Sequence, residues 1–178
     1  MRLAVAGGSA ELLMGRSPYR QWYVFRANHL IIVTGGTGPG AFALAEAVAA
    51  TIAAHLPESK AMAARAQTPV DVVKLLQSHQ LQVALLSADD AVEASRGGGR
   101  FKEEDPVRFR TLAVFGPYVL VALDDFSGEK AYQIAKTLAE YPPDWTVPEK
   151  VAVPGTPPIP FHPGALEYYE GHASPGGR

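Results

Sequence analysis

Residues 34–40, Thr34-Gly35-Gly36-Thr37-Gly38-Pro39-Gly40, carry the densest ligand-holding chemistry in the chain. Glycines let the backbone approach a bound group, and a helix that starts just after them offers unpaired N–H groups at a positive dipole end. Carboxylate or phosphate suits such a cradle. The same glycines also serve a tight strand-to-helix turn that holds nothing. Two more polar clusters stand just ahead of helix-like runs: Gln67-Thr68 before Pro69, and Ser87-Ala88-Asp89.

Other chemistries fit less well. Gly36-x-Gly38-x-x-Ala41 matches a dinucleotide fingerprint, with Glu58 downstream as its acid and Tyr132-x-x-x-Lys136 as a dehydrogenase-like pair. Glu58, however, precedes the second strand instead of ending it, and Tyr132 with Lys136 is an ordinary pair on an amphipathic helix. The histidines at 29, 55, 79, 162 and 172 lack ligand spacing, which argues against a metal site. Asp89-Asp90 and Asp124-Asp125 are adjacent pairs that suit caps and solvated turns better than acid/base work. No serine lies in a nucleophile elbow, and there is no cysteine. The expectation is a protein that is not an enzyme, with no catalytic residue, no metal and no cofactor.

The elements that would position these loops alternate. Residues 29–33 read as a buried strand and residues 41–56 as a helix stopped by Pro57. Residues 60–66 form a weak second strand, since alanine has little β preference. Thr68-Pro69 opens a helix over 70–79, residues 81–86 make a third strand, and Ser87 caps the next helix. Segments 109–115 and 118–123 are β, joined at Gly116-Pro117, and residues 131–140 are helical. Prolines then dominate from Pro142 to Pro160, which suits an extended surface arm, before a short helix over 165–171. This alternation predicts an α/β fold on a parallel sheet, with ligands at the carboxyl ends of the strands.

Three parts follow: a basic and aromatic arm over 1–28, an α/β lobe over 29–141, and a proline-rich arm and C-terminal helix packed on the lobe over 142–178. The arm's Arg16, Arg20 and Arg26 stand among Tyr19, Trp22, Tyr23 and Phe25, so membrane contact is expected only through residues 16–26. The chain has 178 residues, enough for one domain with a core, and its formal net charge of -2 gives no reason to expect nucleic acid. No run approaches the roughly 20 apolar residues of a spanning helix. The first 14 residues, broken by Gly7, Gly8 and Glu11, do not read as a cleavable signal, so a cytoplasmic or membrane-peripheral place is expected.

The order of motifs resembles that of TAXI-type solute-binding receptors of tripartite (TRAP) transporters. Ile31-Ile32-Val33-Thr34-Gly35-Gly36-Thr37-Gly38 and a helix ending Ala54-His55-Leu56-Pro57 look like their opening. Gln67-Thr68-Pro69-Val70-Asp71 and Leu85-Leu86-Ser87-Ala88-Asp89 are similar to their next two loops. Arg110–Phe115, Ala131–Leu138 and the tail His162-Pro163-Gly164-Ala165 to Tyr168-Tyr169 continue the likeness over most of residues 29–171.

The resemblance implies one lobe of a type II periplasmic-binding-protein-like fold. In such receptors two lobes close on an amino-acid-like or dicarboxylate solute. Here residues 124–128 pass straight to the returning helix, where the family crosses to its second lobe. The expected site is therefore open on one side: Thr34, Gly35, Gly36, Thr37, Gly38, Gln67, Thr68, Ser87 and Asp89 around a small carboxylate. The alternatives are an accessory subunit that uses the lobe as scaffold for a protein partner or a homodimer, and a nicotinamide-dinucleotide-binding domain.

Overall fold

A computed structural model describes residues 24–35, 40–146 and 157–172. After a helical turn over residues 24–28, strand β1 (Ile31–Gly35) leads to α1 (Ala41–His55) and a short 3-10 turn, Pro57–Ser59. Then come β2 (Met62–Ala66), α2 (Pro69–Gln77), β3 (Val83–Ser87) and α3 (Ala88–Arg96). A second 3-10 turn, Gly99–Phe101, precedes β4 (Phe109–Phe115), β5 (Tyr118–Leu123), α4 (Gly128–Glu140) and α5 (Pro163–His172).

The strands form one sheet in the order β2-β1-β3-β5-β4. β1 pairs in parallel with β2 and with β3, while β5 is antiparallel to both β3 and β4. Four strands therefore run one way and β5 runs against them. The sheet is mostly parallel, not wholly so, because the two-residue turn Gly116-Pro117 sends β5 back as a hairpin that wedges between β3 and β4.

Alternation along each strand divides the core in two. Ile32, Leu85, Leu120 and Ala122 pack with Leu44, Val48 and Ile52 of α1, Ile134 of α4, and Ala165 and Tyr168 of α5. Val33, Ala84, Leu86, Val119 and Val121 pack on the other face with Val72 and Leu76 of α2, Ala91 of α3 and Phe101. β2 is short of apolar bulk, as its alanines suggested, and stays half-exposed at the sheet's edge.

The other edge is covered. Thr111 of β4 donates its backbone N–H to Pro160 and accepts from the N–H of His162, forming a parallel bridge to Phe161. The described end of the proline-rich segment thus bends at Pro158 and Ile159 before it meets β4, and it delivers Ile159 into the second core face. Residues 1–23 and 147–156, including most of the basic and aromatic arm, lie outside the described residues. Among the described residues no helix is long and apolar enough to cross a membrane.

Candidate functional site

Because β1, β2 and β3 run in parallel, Gly35, Ala66 and Ser87 end on one rim. The β4–β5 turn reaches the same rim: Ser87 is paired with Tyr118, and the Ala88 N–H donates to the Pro117 carbonyl at 2.8 Å. β1 is the central strand of the three. The helix after it, α1, packs on one face, and the helix after β3, α3, packs on the other. A crevice opens where two neighbouring parallel strands send their chains to opposite faces.

The expected residues fall as follows. Thr34 is buried in β1. Gly35 meets the turn into α2 so closely that a Cβ there would stand 2.6 Å from the Pro69 nitrogen and 2.9 Å from the Thr68 carbonyl carbon. The first two rim loops are therefore in contact. Gly36, Thr37 and Gly38 lie outside the described residues. Gln67, Thr68 and Asp89 are exposed, and Ser87 is half-buried.

Two of the hydroxyls expected to orient an anion are already occupied. Thr68 Oγ1 accepts from the Asp71 N–H at 3.1 Å and donates to Asp71 Oδ2 at 2.8 Å, while Asp71 Oδ2 accepts from the Thr68 N–H at 3.0 Å. This reciprocal cap closes the N-terminus of α2. Ser87 Oγ accepts from the Asp90 N–H at 3.1 Å, and Asp89 and Asp90 fill the first turn of α3. Asp90 also pairs with Arg100 at 3.2 Å.

The N-terminus of α1 differs. Its first residue follows Gly40, which sits at φ 82 and has no side chain to cap with, and no acid stands in its first turn. Beside it Arg65, at the end of β2, lays its guanidinium 4.3 Å from the ring centre of Phe42. Among the described residues no carboxylate pairs with Arg65. Gly35, Gly40, Phe42, Glu46 and Arg65 bound a cavity of about 300 Å³. A second hollow of about 400 Å³ lies beyond Arg65, against Gln67, Asp71, Lys74 and Gln80. Among the described residues the rim thus brings a helix N-terminus without a side-chain cap and a cation without a carboxylate partner to one point, which is chemistry for holding an anion.

Sequence reasoning missed Arg65, whose only signal was a charge in the otherwise small and apolar run of β2. It also missed Trp145 and Tyr118. Trp145 Nε1 would lie 3.6 Å from a Cβ on Gly40, and its ring meets Tyr118 edge-on at 6.1 Å. Burial pushes the Tyr118 phenol up from its ordinary pKa. Glu58 sits in the 3-10 turn entering β2, at the end of the sheet opposite the glycine loop. Tyr132 packs edge-on against Tyr168, with ring centres 5.7 Å apart. Among the described residues no three His, Asp or Glu side chains group to hold a metal.

Compared with known families, residues 32–120 match the NMT1-like family, a span that runs from β1 into β5 and takes in half of the chain. No curated protein matches the chain.

Proposed function

The chain belongs to the NMT1-like family, a periplasmic-binding-protein-like family related to solute-binding proteins, and on that premise we propose that it is a non-catalytic binding lobe for a small carboxylate or amino-acid-like solute. The observation that carries the reading is the meeting, at the rim of β1 and β2, of the first turn of α1 with Arg65, neither of which has a capping or carboxylate partner among the described residues. The solute's carboxylate would take the α1 N–H groups and Arg65, and Trp145 would flank it. Thr68 and Ser87 would act by closing α2 and α3, so that their helix ends do not compete for the anion. The ordered motifs from Ile31 to Tyr169 support a TAXI-type receptor lobe within this broader group. Calorimetric titration with amino acids and dicarboxylates tests the reading: heat is expected with at least one, and none with any would overturn it.

A second reading rests on one feature. β2 leaves its outer edge unpaired among the described residues, while the β4 edge is covered. An accessory subunit that takes a protein partner or a second copy there would use the lobe as scaffold. Light scattering on the purified chain separates the two, since a strict monomer with no co-purifying protein removes the second.

A further inference from the structure

The cavity of about 300 Å³ beside the first turn of α1 carries charge of both signs. Arg65 and Glu46 both line it, and its other walls are Phe42 and the slight surfaces of glycine and alanine. Both charged side chains are exposed. No ion pair joins them, or ties either to another charge, among the described residues.

Phe42 accounts for the separation. It stands one turn before Glu46 on the same face of α1 and has the Arg65 guanidinium carbon 4.3 Å from its ring centre. A cation held over the ring is kept off the carboxylate one turn away, and its N–H donors stay open to an incoming anion. Glu46 follows the first turn of α1, and helical side chains lean toward the N-terminal end. Its carboxylate therefore serves the same cavity as Gly40 and Ala41. Neighbouring acids are committed elsewhere: Asp71 accepts from Thr68 in the α2 cap, and Asp90 pairs with Arg100.

We propose that Glu46 takes the ammonium of an α-amino acid whose carboxylate is held by Arg65, so that the cavity selects a zwitterion over a dicarboxylate. The assignment rests on the binding reading above and narrows its solute class. In an α-amino acid both charged groups are bonded to one carbon, so the ligand bridges two side chains that do not reach each other. A dicarboxylate brings a second negative charge toward Glu46, and a plain monocarboxylate leaves Glu46 without a partner. A volume of about 300 Å³ is at the small end for ligand pockets, which suits such a solute.

Calorimetric titration of the full chain at pH 7 tests this with glutamate against glutarate and alanine against propionate, since each pair differs by the ammonium. In the pair that binds, the amino acid is expected to bind about fivefold more tightly, as befits an exposed ion pair. Glu46→Gln keeps the shape and removes the charge at an exposed position, and it should bring that ratio toward one. Arg65→Lys should weaken both members and preserve the ratio. Equal affinities within each pair, tighter binding of glutarate or propionate, or a ratio that Glu46→Gln leaves intact would each overturn the proposal while the carboxylate reading stands. Heat from no amino acid or dicarboxylate at all would overturn both.

Discussion

Arg65 stands over Phe42, its guanidinium carbon 4.3 Å from the ring centre, and so ties the end of an edge strand to the first turn of the helix that follows the glycine loop. A stack of this kind is worth about 0.5–1 kcal/mol at an exposed position. Its larger effect is to hold over the rim a cation that pairs with no carboxylate among the described residues.

Arg65→Glu should therefore weaken binding of any carboxylate found by calorimetry by about tenfold or more, and Arg65→Lys by less, because lysine keeps the charge but loses the planar fork. Thermal stability should change little in Arg65→Lys. Equal affinity in wild type and Arg65→Glu would remove Arg65 from the site.

Gly35→Ala should destabilise the fold by about 1–3 kcal/mol, since the new Cβ meets backbone, which cannot rotate away. In a chain of this size each kcal/mol lowers the melting temperature by about 2–4 °C. An unchanged melt would show that the β1 and α2 turns can separate at no cost.

Thr68→Ala removes both directions of the α2 cap and should cost about 1 kcal/mol in urea unfolding. Asp71→Ala should cost a similar amount, and the double variant should cost clearly less than the two together, because each acts through the other. Strict additivity would contradict the reciprocal cap.

Burial, with the neighbouring Tyr168 as a smaller contribution, pushes the Tyr169 phenol up to about 12. A phenol kept neutral by the fold adds stability that is fully present below about pH 10 and is lost as pH rises toward 12. Between pH 9 and 11 the wild type should lose about 1 kcal/mol more than Tyr169→Phe, which has no such proton. Parallel losses in urea titrations of the two proteins would refute the assignment.

Thr111→Val removes a buried hydroxyl that donates to the Ile159 carbonyl and should cost about 1–2 kcal/mol, seen first as faster hydrogen exchange in residues 157–172. No change in that segment would mean that the backbone bridge alone carries the docking.

Much of the architecture could be read from local signals. The hydroxyl of Thr68 before Pro69, and Ser87 before two acids, marked the helix starts that the structure shows, because capping is settled within four residues. The two β segments around Gly116-Pro117 were visible for the same reason. Where β5 would insert was not, since alternation tells which face a residue takes and not which strand lies beside it. The site was half legible. The glycine loop announced itself by composition, but a hydroxyl that can cap a helix and a hydroxyl that can hold an anion look alike until the cap is seen closed. Arg65 stood in a strand whose alanines drew attention away from it.

The reversed strand also bears on how the chain assembles. β4 and β5 meet across a two-residue turn, so they can zip at almost no cost in loop closure. Pairing β1 with β2, or with β3, must first draw together ends separated by a whole helix or more. The hairpin is thus the natural early unit, and β3 joins the growing sheet along the flank that β5 presents. The last strand among the described residues becomes a template for the earlier ones, so the five-stranded sheet cannot close until the ribosome has delivered residue 123.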